Sequence, residues 1–146
     1  MSQNSLAEKM IVKRSVSPVA IGTTGTGQTG KIIDRKGYKG VEFIVEYGAI
    51  TATNAAFTLV VKEGDVTSTM TSIADGDLIG TEVGAVPATG TRTSGSTKNV
   101  TYRLGYKGLK RYVQVFKLSC TATAGPPVSA QVLLYDPEQS PTSPTQ

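Results

Sequence analysis

The stretch Val41-Glu-Phe-Ile-Val-Glu-Tyr47 alternates with a period of two. Val41, Phe43, Val45 and Tyr47 fall on one face, and Glu42, Ile44 and Glu46 on the other. Successive side chains of a strand point to opposite faces, so the pattern marks a half-buried antiparallel strand with one side on a core. Working outward, Phe57, Leu59 and Val61 form a second inward set, with Thr58, Val60 and Lys62 opposite. Val100, Tyr102 and Leu104 form a third, and Val128, Ala130, Val132 and Leu134 a fourth. Met10 to Val16, Thr29 to Asp34 and Leu109 to Cys120 also read as strands, the last as the longest. Pro18 limits the first to an edge or a break, after which Val19 to Ile21 resumes it. Asp65 to Leu78 is less regular and fits one short strand or helical turn.

Turn signals separate these segments. Gly22 to Gly27 is a Gly/Thr loop, and Gly84 to Ser96 is a longer Gly/Thr/Ser loop of a length usually functional or mobile. An internal echo joins the two halves: Arg35-Lys-Gly-Tyr-Lys-Gly40 and Arg103-Leu-Gly-Tyr-Lys-Gly108 each lead into a strand. Seven or eight strands with two matching turns predict an all-β, antiparallel two-sheet sandwich, jelly-roll-like with pseudo-symmetric halves. The domain is expected over residues 10–136. Residues 1–9 are polar and read as a flexible N-terminal arm, and residues 137–146 as an extended or disordered C-terminal tail in which three prolines prevent ladder pairing.

The 146 residues suit one domain able to fold without staples. The single cysteine, Cys120, lies in a strand-like run and reads as a buried, inert thiol. Met1 to Met10 lacks the apolar core of a signal peptide, and no stretch approaches the roughly 20 apolar residues of a membrane helix, so a soluble protein made in a cytoplasm is expected. The net charge of +4 is modest, but its distribution is not even. Every charge from Glu63 to Glu82 is acidic, and every charge from Arg92 to Lys117 is basic. These segments pair either within one fold or between copies.

Motifs for chemistry are weak. Gly25-Thr-Gly-Gln-Thr-Gly30-Lys31 fits two phosphate-loop patterns, yet both need a helix after the last glycine, and Ile32-Ile33-Asp34 reads as a strand. Asp75-Gly76-Asp77 lacks the register of a calcium loop and reads as a turn. Histidine is absent, which removes the commonest general base and metal ligand. Glu42 and Glu46 share a strand face as a glycosidase pair would need, but that face reads as outward. Asn99-Val-Thr101 is a glycosylation sequon of little meaning without a secretory signal. Tyr102, Tyr106 and Tyr112 among cations would suit single-stranded nucleic acid, although strand positions make core packing the commoner role. No enzyme activity, cofactor or metal is expected.

From Gly40 onward the chain resembles the capsid cement, or decoration, proteins of tailed bacteriophages. The resemblance rests on Val41 to Ile50, on Phe57 to Glu63, and on Ala74-Asp-Gly-Asp-Leu-Ile-Gly-Thr-Glu82. Tyr102-Arg-Leu-Gly-Tyr-Lys-Gly-Leu-Lys-Arg-Tyr-Val-Gln-Val115 and Val128 to Leu134 continue it, so that roughly residues 30–136 are covered. It implies a jelly-roll-like fold and a place on the outer surface of an icosahedral virion capsid. There it would bind the major capsid protein, with no small-molecule substrate or membrane and with nucleic acid only as the lesser alternative. The segregation of acidic 63–82 from basic 92–117, which can meet between copies, predicts a homo-oligomer, a dimer or trimer at lattice symmetry axes. A head-fibre base, a tail protein and a single-stranded nucleic-acid module are the alternatives. The expected contact residues are Arg103, Lys107, Lys110 and Arg111, whose field no intervening acid cancels, with Leu6 and Met10 of the arm.

Overall fold

The computed structural model describes residues 6–21, 27–53, 55–91, 93, 98–122 and 125–138. Among the described residues nine strands follow one another: β1 (Met10–Ala20), β2 (Ile32–Asp34), β3 (Tyr38–Tyr47), β4 (Phe57–Gly64), β5 (Thr71–Ser72), β6 (Leu78–Ile79), β7 (Val100–Tyr106), β8 (Tyr112–Cys120) and β9 (Pro127–Pro137). Single 3-10 turns occupy Leu6–Glu8, Asp75–Asp77 and Val83–Ala85.

The strands form two antiparallel sheets in the orders β1-β9-β3-β7-β6 and β2-β8-β4-β5. Their pairing is nested: β1 with β9, β2 with β8, β3 with β7, β4 with β5. The chain is thus one long hairpin, rolled so that β3 also meets β9 and β4 also meets β8. That is the jelly-roll path, in which two sheets share one core. The two-residue strand β6 is an addition at the edge beside β7.

The alternation read from Val41 to Tyr47 sets the core. Val41, Phe43, Val45 and Tyr47 are buried, as are Phe57, Leu59 and Val61 of β4 in the facing sheet. Tyr47 and Phe57 meet edge-to-face across the sandwich with ring centroids 5.0 Å apart, a geometry favoured by the ring quadrupoles. The Tyr47 hydroxyl donates to the Ala85 carbonyl at 3.1 Å, and burial pushes its phenol pKa far above the ordinary value.

Pro18 lies in β1, an edge strand, where the register slips between Val16 and Val19. An edge bulge is where a residue without an N–H costs least. Cys120 is buried, as its strand position implied.

Three expectations are corrected. The longest strands are β1 and β9 rather than the Leu109–Cys120 segment, since β8 starts only at Tyr112. The two Gly-Tyr-Lys-Gly copies are not equivalent. In the first, Gly37 turns at φ +88° and Tyr38 begins β3; in the second, Gly105 and Tyr106 complete β7 and the chain turns after them. Ordered pairing also reaches into the first tail residues. Pro137 sits opposite Tyr38, and the Glu138 N–H donates to the Gly37 carbonyl at 2.8 Å. The remainder of the tail and residues 1–5 of the arm lie outside the described residues.

Candidate functional site

Register brings most of the expected contact residues to one end of the sandwich. Met10 opposes Tyr135, Gly40 opposes Tyr135, and Val41 opposes Tyr106, so the starts of β1 and β3 lie beside the ends of β7 and β9. In the other sheet, Asp34 and Gly64 both oppose Tyr112, at the start of β8. The β7–β8 connection, residues 107–111, crosses from one sheet to the other at this end. Leu6, Met10, Lys107, Lys110 and Arg111 therefore share it. Arg103 lies farther along β7, opposite Ile44 on the outer face.

Tyr106 is the hub. Its hydroxyl donates to the Glu63 carboxylate and accepts the Lys110 N–H at 3.0 Å. Desolvation, then the bond to Glu63, raises its phenol pKa far above the ordinary value. The Arg35 guanidinium lies 5.5 Å from the ring centroid and donates to the Gly108 carbonyl at 2.8 Å. The Lys107 N–H donates to the Asp77 carbonyl at 2.9 Å, and the Arg35 N–H to the Arg111 carbonyl at 3.0 Å. Gly108 lies against the Tyr106 ring, where an added Cβ would come within 2.6 Å of ring carbon. Only a glycine fits so close an approach.

The expectation of an uncancelled basic field is overturned. Arg103 Nε lies 3.2 Å from Glu42 Oε1, Lys110 Nζ lies 2.6 Å from Asp65 Oδ2, and Arg111 Nη2 lies 2.7 Å from Asp34 Oδ2. The neutralising acids were hidden because they come from other strands and loops. Hydrogen bonding to Arg111 lowers the Asp34 pKa, and hydrogen bonding to Lys110 lowers that of Asp65. Of the four cations only Lys107 carries no ion pair among the described residues.

Leu6 and Met10 join Lys9, Tyr135, Asp136 and Pro137 around a cavity of about 360 Å³, with Leu6 67% exposed. Sequence reasoning missed Leu109, which is 90% exposed between Gly108 and Lys110. The legible signal was an apolar residue inside a polar turn.

The motifs set aside in the sequence have definite places in the fold. Gly30 packs between Ser15 and the Val115 carbonyl, and a strand, not a helix, follows it. No group of three acidic, Cys or His side chains is placed to hold a metal among the described residues. Glu46 accepts from the Ser129 hydroxyl at 2.7 Å. Tyr102, half-buried, packs edge-on against Tyr47, Tyr106 is buried, and the Arg111 guanidinium lies 5.0 Å from the ring centroid of the half-buried Tyr112. The described part of the Gly84–Ser96 loop is anchored: Ala85 and Pro87 are buried, and the Gly90 N–H donates to the Ala55 carbonyl at 3.1 Å.

Fold and site together define a jelly-roll sandwich with one hydrogen-bonded, ion-paired end. No protein-family model and no curated sequence matches this chain.

Proposed function

We propose that this chain is a structural virion protein that binds the outside of an icosahedral phage capsid and cements neighbouring major capsid subunits. The reading takes no catalysis and no cofactor. The observation that carries it is where the cement-like phrases fall. Val41 to Ile50 carries β3, Phe57 to Glu63 carries β4, Tyr102 to Val115 runs through β7, the crossing connection and into β8, and Val128 to Leu134 lies in β9. The resemblance thus coincides with the nested strands and the ion-paired end, and the strand order is that of a jelly roll, which the resemblance implies.

A rigid sandwich that binds an assembled lattice better than free subunits stabilises that lattice by mass action. Contacts to several subunits add avidity even when each is weak. Copies of the chain would pair as dimers or trimers at lattice axes. The burial of Tyr106 and the packing of Tyr102 against Tyr47 favour this reading over a single-stranded nucleic-acid module.

Electron cryomicroscopy of intact virions tests the proposal. Density for this sandwich on the outer head lattice is expected; its presence only in the tail would replace the cement reading with a tail role.

A further inference from the structure

Leu109 is 90% exposed on a connection that is not loose. The backbone on either side is held by Lys107 N–H on Asp77, Arg35 on Gly108, Lys110 N–H on Tyr106, and Arg35 N–H on Arg111. The next two side chains are also tied down, Lys110 to Asp65 and Arg111 to Asp34. A single exposed leucine is ordinary on a protein surface; what sets this one apart is the number of bonds that fix its backbone. Here five residues, Asp34, Arg35, Asp65, Asp77 and Tyr106, hold the backbone around a solvated leucine in one place, so little backbone ordering remains to oppose binding.

We propose that Leu109 is the anchor of this end, a preformed knob that inserts into an apolar socket on a folded protein partner. That the partner is the capsid lattice rests on the function proposed above. The flanking cations argue for protein over an anionic lipid surface, because Lys110 and Arg111 are already balanced by Asp65 and Asp34. Recognition at this end is therefore mainly apolar and depends weakly on salt.

The test is co-sedimentation of wild type, Leu109→Ala and Leu109→Met with mature heads lacking the protein, at low and moderate salt. Anionic vesicles form a separate arm, and thermal unfolding of each variant is followed. The expected result is equal thermal stability, roughly tenfold weaker binding by Leu109→Ala, near-wild-type binding by Leu109→Met, and little salt effect; tenfold corresponds to about 1.4 kcal/mol. Head binding by wild type and Leu109→Ala alike overturns the knob and leaves the capsid reading standing. Failure of the wild type to bind heads overturns both. Leu109-dependent pelleting with vesicles overturns the protein socket in favour of a lipid surface.

Discussion

Arg111 grips Asp34 side-on, with Nε 3.1 Å from Oδ1 and Nη2 2.7 Å from Oδ2, across 77 residues of sequence. The pair ties the start of β8 to the end of β2, and Lys110–Asp65 does the same between the β7–β8 connection and the segment after β4. Both pairs are exposed, so their contribution to stability is small, and their main effect is to neutralise the cations of this end.

Stability should respond to acid through these carboxylates. Arg111 and Lys110 hold Asp34 and Asp65 below the ordinary value of 3.8, so the unfolded chain binds protons more tightly than the folded one. Their contribution is complete above that value and is lost as pH falls through the lowered folded values. The urea midpoint of the wild type should drop in that acid window, and Asp34→Asn/Asp65→Asn should flatten part of the drop. An unchanged acid profile in the double variant would mean that other groups govern it.

Tyr106→Phe should loosen the whole end while leaving the ring in the core. It removes the donor to Glu63 and the acceptor for the Lys110 N–H. A hydrogen bond to a charged group contributes about 1.5–3 kcal/mol, so chemical denaturation should show a loss of that order. Amide exchange at Lys110 should accelerate more than at Val45, in the middle of β3.

Charge reversal separates contact from architecture only at Lys107. Lys110→Glu/Arg111→Glu would set new acids against Asp65 and Asp34 and disturb the connection itself. Lys107→Glu breaks no ion pair among the described residues. It should leave the unfolding temperature unchanged. With docking at this end mainly apolar, the association rate and its weak salt dependence should change little; a marked fall in rate would mean that Lys107 meets an acidic capsid rim. Stopped-flow binding to heads reads both quantities.

Two glycines should respond oppositely to alanine. At Gly30 a methyl group would drive into the Ser15 hydroxyl and lie 2.9 Å from the Val115 carbonyl, which is backbone and cannot swing aside. Overpacking of this kind costs about 1–3 kcal/mol. At Gly76 nothing lies within 4 Å of the added carbon. There the substitution should stabilise by about 0.4–1 kcal/mol, because alanine restricts the unfolded chain. Urea midpoints of the two variants should move in opposite directions.

What the sequence determined by itself was the part of the fold that depends on local period. Val41 to Tyr47, Phe57 to Val61 and Val128 to Leu134 announce their buried faces because a strand's side-chain alternation is a property of its own backbone. Even Pro18 marked an edge, since a missing N–H is a local fact. Only the tertiary structure decided which strands pair, and with them the electrostatics. Asp34 and Asp65 reach Arg111 and Lys110 across 77 and 45 residues, distances over which sequence order says nothing about contact. The two Gly-Tyr-Lys-Gly copies make the same point. Their local preferences are equal, yet the last glycine of one lies in β3 beneath the ring of Tyr135, and that of the other follows β7 and packs beneath the ring of its own Tyr106. Those neighbours, supplied by the roll of the chain, make one copy the entry to a strand and the other the scaffold that presents Leu109.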